Sequence, residues 1–228
     1  MHIIRRASVL LFLFLIMPFP TTNATKELPA INQILSTCGQ APVTTLDQTN
    51  PDVAIAYDTL LQVTREVQAE GWTYNKEFHY LFTPSADAST LNQILIPNNV
   101  LQLKLSKNNA NMQYDGIRRQ GKLYDRIHHR YTWEDHPSGV ECDVVWEFDW
   151  VDLPEPIQNS IVARAATIVS QRIVGDTQQY EMLQQQEAYA RALAMEYETQ
   201  QGQFTIFGHP YDKTNSYPAY QPFHALMR

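Results

Sequence analysis

The feature that most constrains this chain is a change of hydrophobic period along its length. Apolar residues recur at helical spacing across residues 30–70, alternate across about 72–150, and return to helical spacing across about 152–201. Blocks in that order predict an α+β fold: a bundle of about four helices carrying an inserted antiparallel β-sheet or small barrel. The divisions expected are a leader over 1–29, a first helical part over 30–71, a β-rich insert over 72–150, a second helical part over 151–201 and an extended tail over 202–228.

Local signals support each block. Leu28–Cys38 places Ile31, Ile34 and Leu35 on one helical face, with Gly39 positioned to end it. Asn50 can cap the next helix and Pro51 suits its first turn; Val53, Tyr57, Leu60, Leu61, Thr64 and Val67 form its stripe, and Gly71 stops it. Trp72, Tyr74, Phe78, Tyr80 and Phe82 then read as one aromatic strand face. Ile94–Leu105 reads as strand, turn, strand, broken at Pro97-Asn98-Asn99. Gln120-Gly121 predicts a tight hairpin, and Val140–Trp150 a long strand with Val144, Trp146, Phe148 and Trp150 on one side. Asp152 with Glu155 has a capping-box spacing ahead of a stripe of Ile157, Ile161, Ala165, Ile168 and Val169. Asp176 with Gln179 repeats that spacing before a last helix whose apolar side is Tyr180, Leu183, Ala190, Leu193, Ala194 and Tyr197.

A net charge of −7 argues against a general nucleic-acid coat. The distribution is more telling. Residues 104–130 hold Lys104, Lys107, Arg118, Arg119, Lys122, Arg126 and Arg130 against Asp115 and Asp125 alone, a local +5 that leaves −12 elsewhere. Such a stretch is either a solvated hairpin face or a docking surface for an acidic partner or DNA phosphates. Arg118, Arg119, Lys122 and Arg126 are the residues expected to dock.

Little here has catalytic spacing. His128, His129 and His136 lie near Asp125, Glu134 and Asp135, but the pattern resembles a hairpin end more than converging metal ligands. Glu141, Asp143, Glu147 and Asp149 alternate as the polar face of a strand would; paired carboxylates could also cleave a glycosidic bond. Ser36 and Ser170 lack a nucleophile-elbow context, and no phosphate loop or dinucleotide fingerprint occurs. Cys38 and Cys142 have no zinc or disulfide-framework spacing and read as reduced, packed thiols. No catalytic residue, metal or cofactor is therefore expected. The rival reading is a secreted or tail-borne cell-wall hydrolase using Glu141 and Asp143.

The N-terminus admits two readings. Two arginines, the apolar run Ala7–Phe19 and the small residues near Ala24 have the form of a secretory signal peptide, and Asn23 stands in a glycosylation triplet. The run is short for a membrane span. Alternatively translation begins at Met17, and Met1–Ile16 is an upstream extension of the reading frame.

The segment 202–228 is rich in Pro, Tyr, Phe and His without a core element's periodicity. Phe204, Phe207, Tyr211, Tyr217, Tyr220 and Phe223 are expected to lie on another surface.

Several stretches together resemble the tail tubular protein A family of short-tailed bacteriophages. They are Ala30–Leu35 followed by Gly39–Val43, Asn50–Ala54, Glu66–Trp72, Ile96–Asn99, Arg118–Asp125, Pro154–Gln158, Ala163–Ala166, Gly175-Asp176 and Tyr220–Phe223. The resemblance implies a non-enzymatic virion protein, typically a dodecamer ring between portal and tail nozzle. It further implies tail fibres at the side, a DNA channel through the middle, transient contact with viral DNA, assembly in the host cytoplasm and no stable membrane partner. Members of that family begin with a short leader before the Ala-Ile-Asn helix, a pattern that a start at Met17 reproduces.

Overall fold

The computed structural model describes residues 24–46, 50–87, 89–106 and 113–202. Its elements are α1 (Ala24–Thr37), α2 (Pro51–Gln68), β1 (Lys76–Phe82), β2 (Val100–Leu105), β3 (Gly116–Arg119), β4 (Lys122–Asp125), β5 (Val140–Trp146), α3 (Glu155–Ile173) and α4 (Thr177–Gly202). The fold is α+β, as the periodicity predicts. The strands form an open three-stranded antiparallel sheet in the order β1-β5-β2 and a separate β3-β4 hairpin, so the described strands do not close a barrel.

α3 is the centre of the helical layer, packed by α1, α2 and α4. Its Ile157, Ile161, Ala165 and Val169 are wholly buried against Ile31 and Ile34 of α1 and Val53, Leu60 and Val63 of α2 within one apolar cluster. Burying side chains of this size stabilises by roughly 1.5–3 kcal/mol each. Asn50 caps α2 by accepting the Asp52 N–H at 3.1 Å, as its sequence suggests. α1 begins at Ala24, inside the stretch expected to be leader, while Met1–Asn23 lie outside the described residues.

The sheet buries Phe82, Val100, Leu105, Val140, Cys142 and Val144 with Ile94, Ile96, Leu123 and Trp133 in a second cluster. The indole N–H of Trp133 donates to the Leu123 carbonyl at 3.0 Å, seating the hairpin on this core. Gln120 and Gly121 have φ of +54° and +70°, the paired left-handed geometry of a two-residue hairpin turn.

The expected aromatic strand face is shorter than its spacing suggests. Trp72 and Tyr74 precede β1 and pack on the helical core. Within β1, His79 sits at φ +56° where the register against β5 shifts between Glu77 and Tyr80. That bulge resets the alternation ahead of Tyr80. Tyr80 and Phe82 then share one face with their rings 4.8 Å apart, Phe82 buried and Tyr80 40% exposed.

The long strand expected over Val140–Trp150 also ends early, at Trp146. Beyond it the chain leaves the ladder to deliver Phe148 and Trp150 to the helical core, with Trp150–Asp152 forming a 3-10 turn. That turn displaces the expected capping box. Pro154 occupies the N-cap of α3, and no side chain caps it. The second cap does form: Asp176 accepts the Gln178 N–H at 3.0 Å, although Gln179 reaches away to the Thr37 carbonyl.

Two buried amides weld the layers together. Gln68 donates to the Phe148 carbonyl at 3.1 Å and accepts its N–H at 2.8 Å. Asn75 accepts the Trp72 N–H at 2.8 Å and donates to the carbonyls of Gln68 and Trp146, each at 2.9 Å. Both amide side chains belong to residues with no exposed surface.

Candidate interaction surfaces

The carboxylates of β5 serve the local backbone. The Asp143 carboxylate accepts the His79 N–H at 3.2 Å and the Ser106 hydroxyl, bracing the bulge from across the sheet. Glu141 faces the His79 ring at 3.2 Å. Glu147 and Asp149 lie past the end of the strand, and Glu147 is 3.9 Å from Arg65. The four residues expected to alternate along one strand are thus divided between two environments.

The histidines are also separated by role. Asp125 is wholly buried and accepts the N–H groups of Ile127 at 3.0 Å and Asp115 at 3.4 Å, with His128 on its other oxygen. Burial alone would push this carboxyl up, but the hydrogen bonds from His128 and the two backbone groups outweigh it and hold it below the usual range. His136 stacks edge-on against Tyr114 at 4.7 Å. His129 occupies a left-handed turn position at φ +53°. Among the described residues, no three His, Cys, Asp or Glu side chains are grouped to hold a metal.

Cys142 is buried in the sheet core, which pushes its thiol up to about 12. Cys38 is half-buried, and its thiol is likewise raised by burial.

The basic residues are brought together on the β3-β4 hairpin, but they differ in freedom. Arg118 donates to the Val100 carbonyl at 2.7 Å and to Asn98 at 2.9 Å, tying the hairpin to β2. Arg126 pairs with Asp115, and Arg130 with Asp135. Arg119 and Lys122 face each other at the tip. The Arg119 guanidinium lies 4.2 Å above the Tyr124 ring, which leaves its charge intact. Lys122 has no ion-pair partner among the described residues. The tip therefore carries two cations without an ion-pair partner among the described residues.

The glutamines Gln184–Gln186 and Gln200-Gln201 give α4 a neutral polar face compatible with contacts between subunits, but its exposed apolar flank was not anticipated from the sequence. Only Leu183, Ala194 and Gly202 of this helix are buried. One flank is pinned to the rest of the molecule. Glu198 accepts the Thr73 N–H at 3.0 Å and its hydroxyl at 2.8 Å, while Arg191 pairs with Glu70 and lies 4.8 Å over the Trp72 ring. The other flank is open, with Met182 64%, Tyr189 69% and Leu193 42% exposed. Tyr189 and Leu193, with Tyr197, form one wall of a groove of about 560 Å³, whose floor is Val162, Ala163 and Ala166 of α3. The expected apolar side of α4 is thus split between core and groove. The signal was present in the large side chains at 182, 189 and 193, which share a helical face. The tail residues Phe204, Phe207, Tyr211, Tyr217, Tyr220 and Phe223 lie outside the described residues.

No helix among the described residues is long and apolar enough to cross a membrane. A family model described as tail tubular protein covers residues 28–204. Tail tubular protein A of Klebsiella phage KP34 is 30% identical over 130 residues, which is 57% of this chain and 63% of that relative's own length. The family match takes in α3, α4, the sheet and the basic hairpin, and on it the chain belongs to the tail tubular protein family, a structural component of the phage tail and not an enzyme.

Proposed function

We propose that the chain assembles into a dodecamer ring within a short phage tail. The ring joins the portal above to the nozzle below, supports fibre attachment, and leaves a central channel for DNA during ejection. Its subunits are made and assembled in the host cytoplasm. The division into a helical part and a β-rich insert suits this role, because helices can pack around the ring while the hairpin projects toward the next tail component. The observation that carries the reading is the uncovered flank of α4, where Met182, Tyr189 and Leu193 are exposed on a helix of a phage tail protein. Large apolar groups grouped on a surface mark sites of association.

The hairpin tip supplies a second contact of different character. Arg119 and Lys122, with Arg118 and Arg126 behind them, favour an acidic partner surface or passing DNA phosphates. The tail after Gly202 supplies a third, against a neighbouring subunit or the portal, because aromatic anchors dominate interface energetics. Electron microscopy and native mass measurement of the purified chain, alone and with portal, test the proposal. Rings in either preparation support it. Monomers in both refute it.

A further inference from the structure

We infer that the groove between α3 and α4 is the seat of the segment Tyr217–Phe223 from a neighbouring copy of this chain. This names the partner of the α4 flank and so rests on the ring reading above.

The groove has the chemistry of a polyproline II receptor. Its floor is small and apolar, Val162 and Ala166 being 4% exposed, so rings can approach the α3 backbone closely. Its wall carries Tyr189, Leu193 and Tyr197 at successive turns of α4. Gln33, Gln186 and Gln200 also line it. A polyproline II strand makes no internal hydrogen bonds, so such amides can serve its carbonyls and N–H groups.

The segment Tyr217-Pro218-Ala219-Tyr220-Gln221-Pro222-Phe223 has the matching sequence pattern. Its aromatics recur every third residue, which is the period of a polyproline II helix, and two prolines favour that conformation. All three rings would then fall on one face. At about 3.1 Å per residue the segment spans about 22 Å. The groove wall runs from Leu183 to Gln200, about 25 Å at the helical rise of about 1.5 Å per residue. The segment contains no carboxylate to oppose Glu155 and Glu196 at the groove.

The linker is long enough for a neighbour to be the donor. Residues 203–216 separate Gly202 from Tyr217, a reach of up to about 46 Å in extended form. A compact domain of this size is about 40 Å across, so the reach matches the step to the next subunit. A tail leaving one end of α4 and entering a groove on the next copy makes a head-to-tail contact. Contacts of that type generate rings where the rotation between copies closes, whereas a symmetric self-pairing stops at a dimer.

Photo-crosslinking in the full chain tests this. p-Benzoylphenylalanine replaces Tyr189, a position exposed enough to accept it, and a second preparation carries it at Tyr80 on β1 as a control. Irradiation of the assembled protein should give a between-chain product at Tyr189 that maps to residues 217–223, and none there from Tyr80. Full chain with Tyr217→Ser, Tyr220→Ser and Phe223→Ser should lose this product and form rings with at least tenfold lower yield. Absence of adducts to 217–223, adducts confined within one chain, or unchanged ring yield in the triple variant would each overturn the inference. Rings that form without the adduct would leave the ring reading intact while this seat is rejected. Monomers throughout would instead sink the ring reading.

Discussion

Replacing Asn75 by Ala should be among the most damaging single changes in the described core, although it removes no hydrophobic surface. The carboxamide makes three hydrogen bonds, to the Trp72 N–H at 2.8 Å and to the carbonyls of Gln68 and Trp146 at 2.9 Å each. The Gln68 carbonyl keeps a second donor in the Gly71 N–H at 3.1 Å, so its loss is partial. The Trp72 N–H gains no substitute from the truncated side chain, in a residue only 3% exposed. Three ordinary bonds are worth about 1 kcal/mol each, and a buried donor left unpaired costs about 1–3 kcal/mol. Allowing for the carbonyl that keeps a donor, the expected loss is about 3–5 kcal/mol. In a protein of this length that lowers the melting temperature by on the order of 10 °C. Asn75→Asp should be no better, because it turns a carboxylate toward two carbonyls. Gln62→Ala, which removes an exposed contact to Glu66, serves as control and should change stability by less than about 0.5 kcal/mol. Urea unfolding followed by tryptophan fluorescence measures all three. A loss below about 1 kcal/mol for Asn75→Ala at unchanged denaturant slope would show that the two layers are not welded at this amide.

Further outcomes can be checked alongside. Truncation after Gln201 should leave a folded chain, seen by an unaltered circular dichroism spectrum, that assembles poorly; normal ring yield would remove the tail from the interface. Arg119→Glu with Lys122→Glu should weaken attachment of the next tail component while rings still form. The defect should shrink near 1 M salt, where the screening length falls to about 3 Å, and a defect insensitive to salt would contradict a charge mechanism. Asp125 lies below its usual range when folded, so its stabilisation is full above the unfolded carboxylate value near 4 and fades as pH falls through the lower folded value. Asp125→Asn should accordingly flatten the acid limb of a stability–pH curve, and an unchanged limb would assign it to other groups. Purified protein should not degrade peptidoglycan or host surface polysaccharide. Activity that disappears in Glu141→Gln, a substitution that spares the bracing role of Asp143, would overturn the structural assignment.

How much of this molecule could be read from its residues depends on how far each determinant reaches along the chain. The α2 cap at Asn50 and the Gln120-Gly121 turn involve groups within a few residues of one another, so their chemistry is explicit in the sequence. The stripe of α3 is legible for the same reason, since a helix repeats its face every few residues. The hairpin's positive charge could be counted, but the contacts that distinguish Arg118 from Arg119 depend on β2 packing beside β3. Trp72 and Trp150 each look like strand residues by local alternation. Their placement in the helical core is decided by Gln68 and Asn75, which draw residues 68–75 and 146–148 together across more than 70 positions of chain. The α4 groove belongs to the same class. The sequence of α4 shows a helix with several apolar residues, and only its docking on α3, set by Glu198 with Thr73 and Arg191 with Glu70, determines which of them are buried and which stay exposed.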